Sequence, residues 1–427
     1  MSHGHTPLPA AERDAVLKDI AGRLPVKPNP RRRRIWIAFM VVGIATFGWL
    51  LFTQPQRAWG AWAINCVYWL GIAQGAVVLA CAIRLANGRW GGPVMRVAEA
   101  LSAYLPWGTG ALVVLMLAGI GTYLPWVQHV EPRQAPYLNV PFLMIRTLVG
   151  QLLLWWLTRD LVRLSLRTDA HLLKNHVAAE LKPDYEKLSE GWRGDQVEAD
   201  WQRHRLSQRA PMIVIAYAVF YTLLAWDFIM SITPQWVSTL FGWWFIMGAF
   251  LSGIAMTALL TSRLRSRYQL HRYITPAHLW DTGKILFGFS VFWVYQFWSQ
   301  YLPIWYANMP EETGFVFLRF EAPWRTLAFT VFTFVFLLPF LGLMNMYTKK
   351  SPFWLALFSI IVLFGMWMER SILIMPSLSP EHVWVGLPEI GVSLGFLGVF
   401  GWRVHNFVSK YPLVKVPDVL AGHGGHH

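Results

Sequence analysis

The chain has 427 residues, of which 55% are hydrophobic and only 14% charged, and its formal net charge is +14. Soluble domains carry about 25% charged residues, so this composition indicates a membrane protein. The only cysteines, Cys66 and Cys81, exclude a disulfide framework, a covalently attached haem and an iron–sulfur cluster held by this chain alone.

Ten apolar stretches recur along the chain, each long enough to cross a bilayer as a helix of about 20 residues. The alternating pattern of a membrane β-strand is absent, so the predicted fold is all-α and polytopic. The predicted spans are residues 35–52, 63–83, 101–123, 140–158, 211–232, 240–261, 283–303, 325–346, 353–375 and 384–402.

The positive charge falls on one side of these spans. If the amino terminus lies inside, 31 Lys and Arg residues occupy inner segments and six occupy the other side. The positive-inside rule therefore predicts a multi-pass protein with both termini cytoplasmic, whose cationic face attracts membrane lipids. The net charge has this topological explanation, so no nucleic-acid partner is predicted.

Predicted helices 2–5 and 6–9 resemble two copies of one unit. The matching features are an acid at the inner end of the second helix, an Arg-Thr-Leu tripeptide at the outer end of the third, an acid with Trp near the outer end of the fourth, and spaced glycines in the first. In chain order these residues are Gly71, Gly75, Glu99, Arg146, Trp226 and Asp227, then Gly248, Gly253, Asp281, Arg325, Trp367 and Glu369. The glycines are expected to allow close helix approach.

This repeat predicts two parallel four-helix bundles, 61–232 and 236–376, with flanking helices over 35–52 and 384–409. Residues 1–34 form a predicted cytoplasmic segment and 410–427 a His-rich cytoplasmic tail. The first bundle carries a hydrophilic insertion, 164–208, which either docks a soluble partner or is a solvated helical loop. Parallel units differ from the inverted repeats of several transporter classes.

Ionisable residues inside the spans form a predicted outer tier. Asp227 lies about 24 Å into its span, counted at 1.5 Å per residue, which is the level of Arg146, so these two are predicted to pair. The same argument pairs Arg325 with Glu369 or Glu389, with Arg370 nearby. Each pair either holds its bundle together or tunes an acid that takes a proton from a ligand.

An inner tier is predicted from spacing. His278, Asp281 and Lys284 recur every three residues and so share a helix face, and Glu99 repeats the acid in the other bundle. This tier either admits protons or forms an ordinary helix-end pair. No histidine lies centrally in a span, and no nucleotide loop, catalytic triad or metal cage is present, so no cofactor, metal or catalytic residue of this chain alone is predicted.

The most distinctive stretch ends in SQYLPIWYANMPEE, residues 299–312. It resembles the membrane subunits of bacterial alternative complex III, which belong to the polysulfide-reductase (NrfD-like) family. The resemblance covers nearly all of the chain and is strongest to the second, shorter-loop quinone-binding subunit. It implies a quinol:electron-acceptor (cytochrome c) oxidoreductase in the bacterial cytoplasmic membrane. It also implies as partners a homologous ten-helix subunit and subunits with c-type haems and iron–sulfur clusters, with a terminal oxidase as a further candidate.

In that family a His and an Asp contact quinol near the outer face of a four-helix bundle. Here Asp227 lies at a suitable depth in the membrane for the Asp of such a site, and His129 is the only candidate for the His. Trp305 and Tyr306, in an aromatic outer loop, contact either quinone, lipid or a neighbouring subunit. The resulting hypothesis is a respiratory subunit that contributes a proton path. Its rivals are direct quinol oxidation here, a purely structural subunit, and a stand-alone transporter.

Overall fold

The structure is a computed structural model that describes residues 9–24 and 30–420. These residues form fifteen helices and no strand, which confirms the all-helical prediction for this part of the chain. In chain order, helices α1 to α15 cover Ala10–Gly22, Pro30–Thr53, Pro55–Leu85, Gly92–Tyr123, Val140–Leu173, Lys182–Ser189, Asp195–Ile232, Phe241–Arg267, Pro276–Ala307, Pro310–Phe320, Arg325–Gly342, Met346–Lys350, Pro352–Leu378, Leu387–Lys410 and Val416–Leu420.

Eight helices within the described residues are long and apolar enough to cross a membrane: α2, α3, α4, α5, α7, α8, α11 and α13. The predicted spans 283–303 and 384–402 lie in α9 and α14, which have 32 and 24 residues. Both helices have the length but are less apolar, because α9 is rich in Trp, Tyr and Gln, and α14 contains four glycines with Arg403 and His405. The ten-span topology therefore stays a prediction.

Helices α3 and α8, the first of each predicted unit, form the centre of the molecule. Their apolar windows are 94% and 83% buried, more than those of the other candidate spans. A Cβ added at Gly75 would overlap the backbone of Ala249, and one at Gly253 would overlap the backbone of Gly75 and Ala76. These contacts confirm the close approach expected of the two glycines, whereas Gly248 faces the side chains of Arg370 and Met366.

The predicted flanking helices, α2 and α14, pack against each other. Gly43 of α2 lies so close to Gly395 of α14 that a Cβ would overlap backbone, and Gly398 faces the carbonyl of Trp36. The remaining surface of α2 is open, since only 11% of its apolar window is buried. The two predicted flanking helices thus form a glycine-lined pair.

The predicted insertion is helical and is packed onto the rest of the protein. Helix α5 continues to Leu173, α6 lies within the insertion, and the hydroxyl of Tyr185 donates to the carbonyl of Lys410 at 3.0 Å. Helix α1, in the predicted amino-terminal segment, also contacts the rest of the protein: the hydroxyl of Tyr273 donates to Asp19 at 2.6 Å. The described part of the predicted tail ends with α15, and the histidines His3, His5, His423, His426 and His427 lie outside the described residues.

Candidate functional site

The predicted outer pair of the first unit is confirmed. Arg146 Nε donates to Asp227 Oδ2 at 2.8 Å, and Arg146 Nη2 donates to Asp227 Oδ1 at 2.5 Å, which is a bidentate ion pair. The Tyr137 hydroxyl donates to Asp227 at 3.0 Å, and its ring lies 3.9 Å from the Arg146 guanidinium carbon. Both charged residues are buried. Bidentate, charge-assisted contacts of this kind are the strong ones, so the pair holds α5 and α7 together.

The space beside this pair is closed. A narrow cleft lined by Thr147, Gln151 and Phe220 reaches Arg146 and Asp227, but it is too small for a water molecule. His129, the histidine candidate for a quinone site, is exposed in the loop that precedes α5. The structure therefore offers no room for a ligand ring at Asp227.

The predicted partners of Arg325 are wrong. Arg325 is exposed, its guanidinium lies 5.7 Å from the Phe329 ring, and it has no ion pair among the described residues. The reason lies in where the two helices begin. Helix α5 begins at Val140, six residues before Arg146, whereas α11 begins at Arg325 itself, so the second arginine stays at the helix end.

Glu369 and Arg370 occupy the corresponding level of the second unit. Arg370 Nη1 lies 2.9 Å from Glu369 Oε2, and both side chains are almost completely buried. The two groups are close, but their relative orientation does not form a hydrogen bond. Neither carboxylate oxygen of Glu369 accepts a well-formed hydrogen bond from a described residue. The indole nitrogen of Trp293 lies near the Glu369 carboxylate but does not form a hydrogen bond with it. Arg370 Nη2 donates to the Phe245 carbonyl at 3.2 Å.

Glu389 also has a different partner from the one predicted. Arg57 Nε donates to Glu389 Oε1 at 2.6 Å and Arg57 Nη2 to Glu389 Oε2 at 3.0 Å. The Gly386 amide donates to Glu389 Oε2 at 2.8 Å, so the carboxylate also caps the start of α14. This pair fastens α14 to the start of α3 and holds the Glu389 carboxylate in an ion pair with Arg57.

At the opposite end of the first unit, Glu99 is fixed in a buried network. Arg96 Nη1 donates to Glu99 Oε2 at 2.7 Å, Ser165 Oγ donates to the same oxygen at 3.0 Å, and Arg84 pairs with Glu99 Oε1. Arg96 also pairs with Asp169. Sequence reasoning found the acid but missed its partners, because these residues come from three helices, α3, α4 and α5.

The segment that precedes α15 closes this network. The amide of Val416 donates to Asp169 Oδ1 at 3.0 Å, and Lys415 Nζ lies 3.6 Å from the sulfur of Met95. Burial lowers the pKa of the Lys415 ammonium to about 7, and Arg84 adds to the shift, while Glu99 opposes it. Charged side chains from four segments therefore meet in one buried cluster.

The corresponding end of the second unit is simpler. Asp281 and Lys284 pair at 2.6 Å, with Asp281 partly buried and Lys284 exposed. His278, predicted on the same face, is buried and caps its own helix: its Nδ1 accepts from the Thr275 amide at 3.1 Å and lies 2.8 Å from the Thr275 hydroxyl oxygen. Thus Asp281 is accessible, and His278 has a structural partner.

A large cavity opens beside Glu369, and we call it the aromatic cavity. Its volume is about 610 Å³, and it lies between the start of α8, the end of α9, α10, the start of α11 and the end of α13. Its wall is almost wholly apolar. The charged and amide side chains that border it are Gln300, Arg319 and Glu369. A π-helical turn in α11, residues 333–337, follows the wall residue Phe332, and such turns are frequent at functional sites.

Arg319 is the feature of this cavity that sequence reasoning missed. It is buried in α10, where its Nη1 donates to the Phe315 carbonyl at 2.8 Å and its Nη2 to the Leu373 carbonyl at 2.7 Å. No carboxylate pairs with it among the described residues. The predicted quinone candidates Trp305 and Tyr306 are instead 61% and 86% exposed and do not border the cavity, although their neighbour Ile304 does.

No protein-family model matches the chain, and no curated protein is similar enough to count as its relative.

Proposed function

We propose that the chain is an integral, ten-span membrane subunit of a respiratory quinol:electron-acceptor (cytochrome c) oxidoreductase of the alternative complex III type. Its contribution is a proton path through the second four-helix bundle. The observation that carries the proposal is Glu369, a buried carboxylate inside an apolar helix that lacks a well-formed hydrogen bond among the described residues. Buried acids in membrane helices are energetically unfavourable, so an incompletely partnered one marks a functional position.

Helix α9 supplies a polar face between the two tiers. Thr282, Ser290 and Gln296 are buried on this helix, and both polar side-chain atoms of Gln296 lack hydrogen-bond partners among the described residues. From Thr282 to Gln296 the helix rises about 21 Å, which covers most of a bilayer core. A proton would enter at Asp281 and pass along this face toward Glu369. The polar groups are too far apart for direct exchange, so water must bridge them.

The first bundle has a structural role in this proposal. Asp227 accepts two hydrogen bonds from Arg146, and Glu99 is held by Arg84, Arg96 and Ser165. Glu369 lies against Arg370 without a well-formed hydrogen bond, so the acids of the first bundle are held more firmly than Glu369. Removing one partner of such a pair costs about 3–5 kcal/mol, which makes repeated opening slow. This observation favours the structural alternative for the first bundle only.

The test is proton release per electron by the intact complex in proteoliposomes. Asp281→Asn and Glu369→Gln are expected to lower this ratio while electron transfer continues. Arg325→Gln, an exposed change at the start of α11 in the same bundle, serves as the matched control and leaves the ratio unchanged. If both acid variants keep the wild-type ratio, the path is refuted. If they only prevent assembly, the chain is a structural subunit.

A further inference from the structure

A second cavity lies beside the last turns of α14, and we call it the α14 cavity. Its volume is about 600 Å³, and it lies between α14, one turn of α4 and the part of the predicted insertion that leads into α6. Its wall combines apolar side chains with charged ones, unlike that of the aromatic cavity. The charged residues that border it are Glu180, Asp184, Arg403 and Lys410. Two acids and two bases carry no net charge, so the wall suits a ligand that has both signs.

Arg403 is the charged group of this cavity that lacks a partner. Its Nε is buried and has no hydrogen bond among the described residues, and no described carboxylate forms an ion pair with it. Its guanidinium carbon lies 5.5 Å from the Trp107 ring and 5.3 Å from the Trp402 ring. These rings hold the guanidinium in place but offer no oxygen to its N–H donors. Phosphate oxygens match this donor geometry well, so Arg403 is suited to a ligand phosphate.

Lys410 and Asp184 supply the second half of the cavity. Arg403, Phe407 and Lys410 are four and three residues apart and share one face of α14, with Lys410 about 10 Å further along the helix. Lys410 Nζ lies 3.1 Å from Asp184 Oδ2, and the two side chains are 53% and 45% exposed. An exposed pair of this kind contributes little to stability, so a ligand can take over one of its partners. Asp184 thus offers a carboxylate to a ligand ammonium group.

The position of the cavity indicates a membrane lipid as the source of such a ligand. Trp107 is 46% exposed and belongs to α4, which is a candidate membrane span. Tryptophan side chains with this exposure are typical of the membrane–water interface. The hydroxyl of Tyr185 donates to the Lys410 carbonyl at 3.0 Å and fixes α6 over the end of α14. A headgroup would therefore lie between the insertion and the predicted cytoplasmic surface of the membrane, with its acyl chains beside Trp107.

We propose that the α14 cavity binds the headgroup of phosphatidylethanolamine, with its phosphate accepting from Arg403 and its ammonium donating to Asp184. Phosphatidylglycerol has no ammonium group, and its net negative charge is not matched by the wall. The choline group of phosphatidylcholine has no N–H donor, so it cannot replace the ammonium at Asp184. This inference does not depend on the proposed function, because neither Arg403 nor Asp184 belongs to the proton path.

The test is native mass spectrometry of the full chain in detergent, with phosphatidylethanolamine, phosphatidylcholine and phosphatidylglycerol of identical acyl chains added in equal amounts. The wild type is expected to bind phosphatidylethanolamine about tenfold more tightly than either of the others. Arg403→Gln is expected to weaken phosphatidylethanolamine about tenfold, whereas Asp184→Asn removes the preference over phosphatidylcholine. Arg263→Gln, an exposed arginine near the end of α8, is the matched control and keeps the wild-type preference.

A variant that changes no charge tests the cavity independently. Ala103→Phe narrows it from the α4 side and is expected to weaken phosphatidylethanolamine more than about fivefold, even if Arg403→Gln fails to fold. Circular dichroism and the elution volume in gel filtration establish that each variant is folded.

Three results overturn the proposal. The first is a wild type that binds the three lipids equally or prefers phosphatidylglycerol. The second is phosphatidylethanolamine binding that neither Arg403→Gln nor Ala103→Phe weakens in folded protein. The third concerns the source of the headgroup: glycerophosphoethanolamine, which has no acyl chains, is expected not to displace the lipid at equal concentration. Displacement would show that the cavity takes a soluble phosphate ester instead.

Discussion

The ion pair between Arg146 and Asp227 gives the most quantitative prediction. Both side chains are buried, two contacts of 2.8 and 2.5 Å join them, and they connect α5 to α7. Replacing either partner by an amide leaves the other charge buried with only neutral groups around it. Such a change costs about 3–5 kcal/mol, so Arg146→Gln and Asp227→Asn are each expected to lower the free energy of unfolding by about 3 kcal/mol.

The double variant, Arg146→Gln with Asp227→Asn, measures the coupling between the two residues. With both charges removed, no buried charge is left uncompensated, so the loss is expected to be about 2 kcal/mol, well short of the sum of the two single effects. Arg325→Gln removes the corresponding arginine of the second unit, which is exposed and has no ion pair among the described residues. It is expected to change the free energy by less than about 0.5 kcal/mol.

The assay is titration with sodium dodecyl sulfate in mixed micelles, with helix content followed by circular dichroism. The four proteins, Arg325→Gln among them, are compared with the wild type under one set of conditions. Strictly additive single effects, or single effects as small as that of Arg325→Gln, would refute the argument that the pair is buried and coupled.

Three further predictions concern packing, pH and capping. Gly253→Ala forces α3 and α8 apart and is expected to reduce the folded fraction in gel filtration strongly, whereas Gly121→Ala, with open space around it, leaves the fraction unchanged; equal behaviour would contradict the packing. Native Lys415 has a pKa of about 7 against about 10.4 in the unfolded chain, so above pH 7 the unfolded state binds more protons. Stability is therefore expected to rise with pH from about 7 to about 10, and Lys415→Met should remove that rise in thermal unfolding profiles. His278→Ala removes the cap of α9. It is expected to lower the free energy of unfolding by about 1 kcal/mol in the titration with sodium dodecyl sulfate, without changing proton release per electron. A changed ratio of protons to electrons would indicate that His278 takes part in the proton path.

The sequence predicted the helical class and the outer pair of the first unit for clear physical reasons. Apolar stretches of fixed length identify helices, and a constant rise per residue placed Arg146 and Asp227 at one level. The same arithmetic was wrong for Arg325, because it depends on where a helix begins. The tripeptide repeats in sequence, but α11 begins six residues later relative to its arginine than α5 does.

The remaining site features depend on distant parts of the chain. Glu389 pairs with Arg57, and the Glu99 network joins α3, α4 and α5, contacts that no local pattern specifies. The aromatic cavity could not be predicted from the sequence either. Its buried arginine, Arg319, belongs to a short helix in a loop whose aromatic residues are also typical of lipid contact.

The measurement that tests the central claim most directly is the absorbance spectrum of whatever purifies with this chain from its own membranes. An affinity tag on the chain, mild detergent and a reduced-minus-oxidised difference spectrum are sufficient. We expect the α-band of c-type haem in stoichiometric amount, together with quinol-dependent reduction of an electron acceptor. A homogeneous preparation of this chain without haem-bearing partners would contradict it and would favour a stand-alone membrane protein.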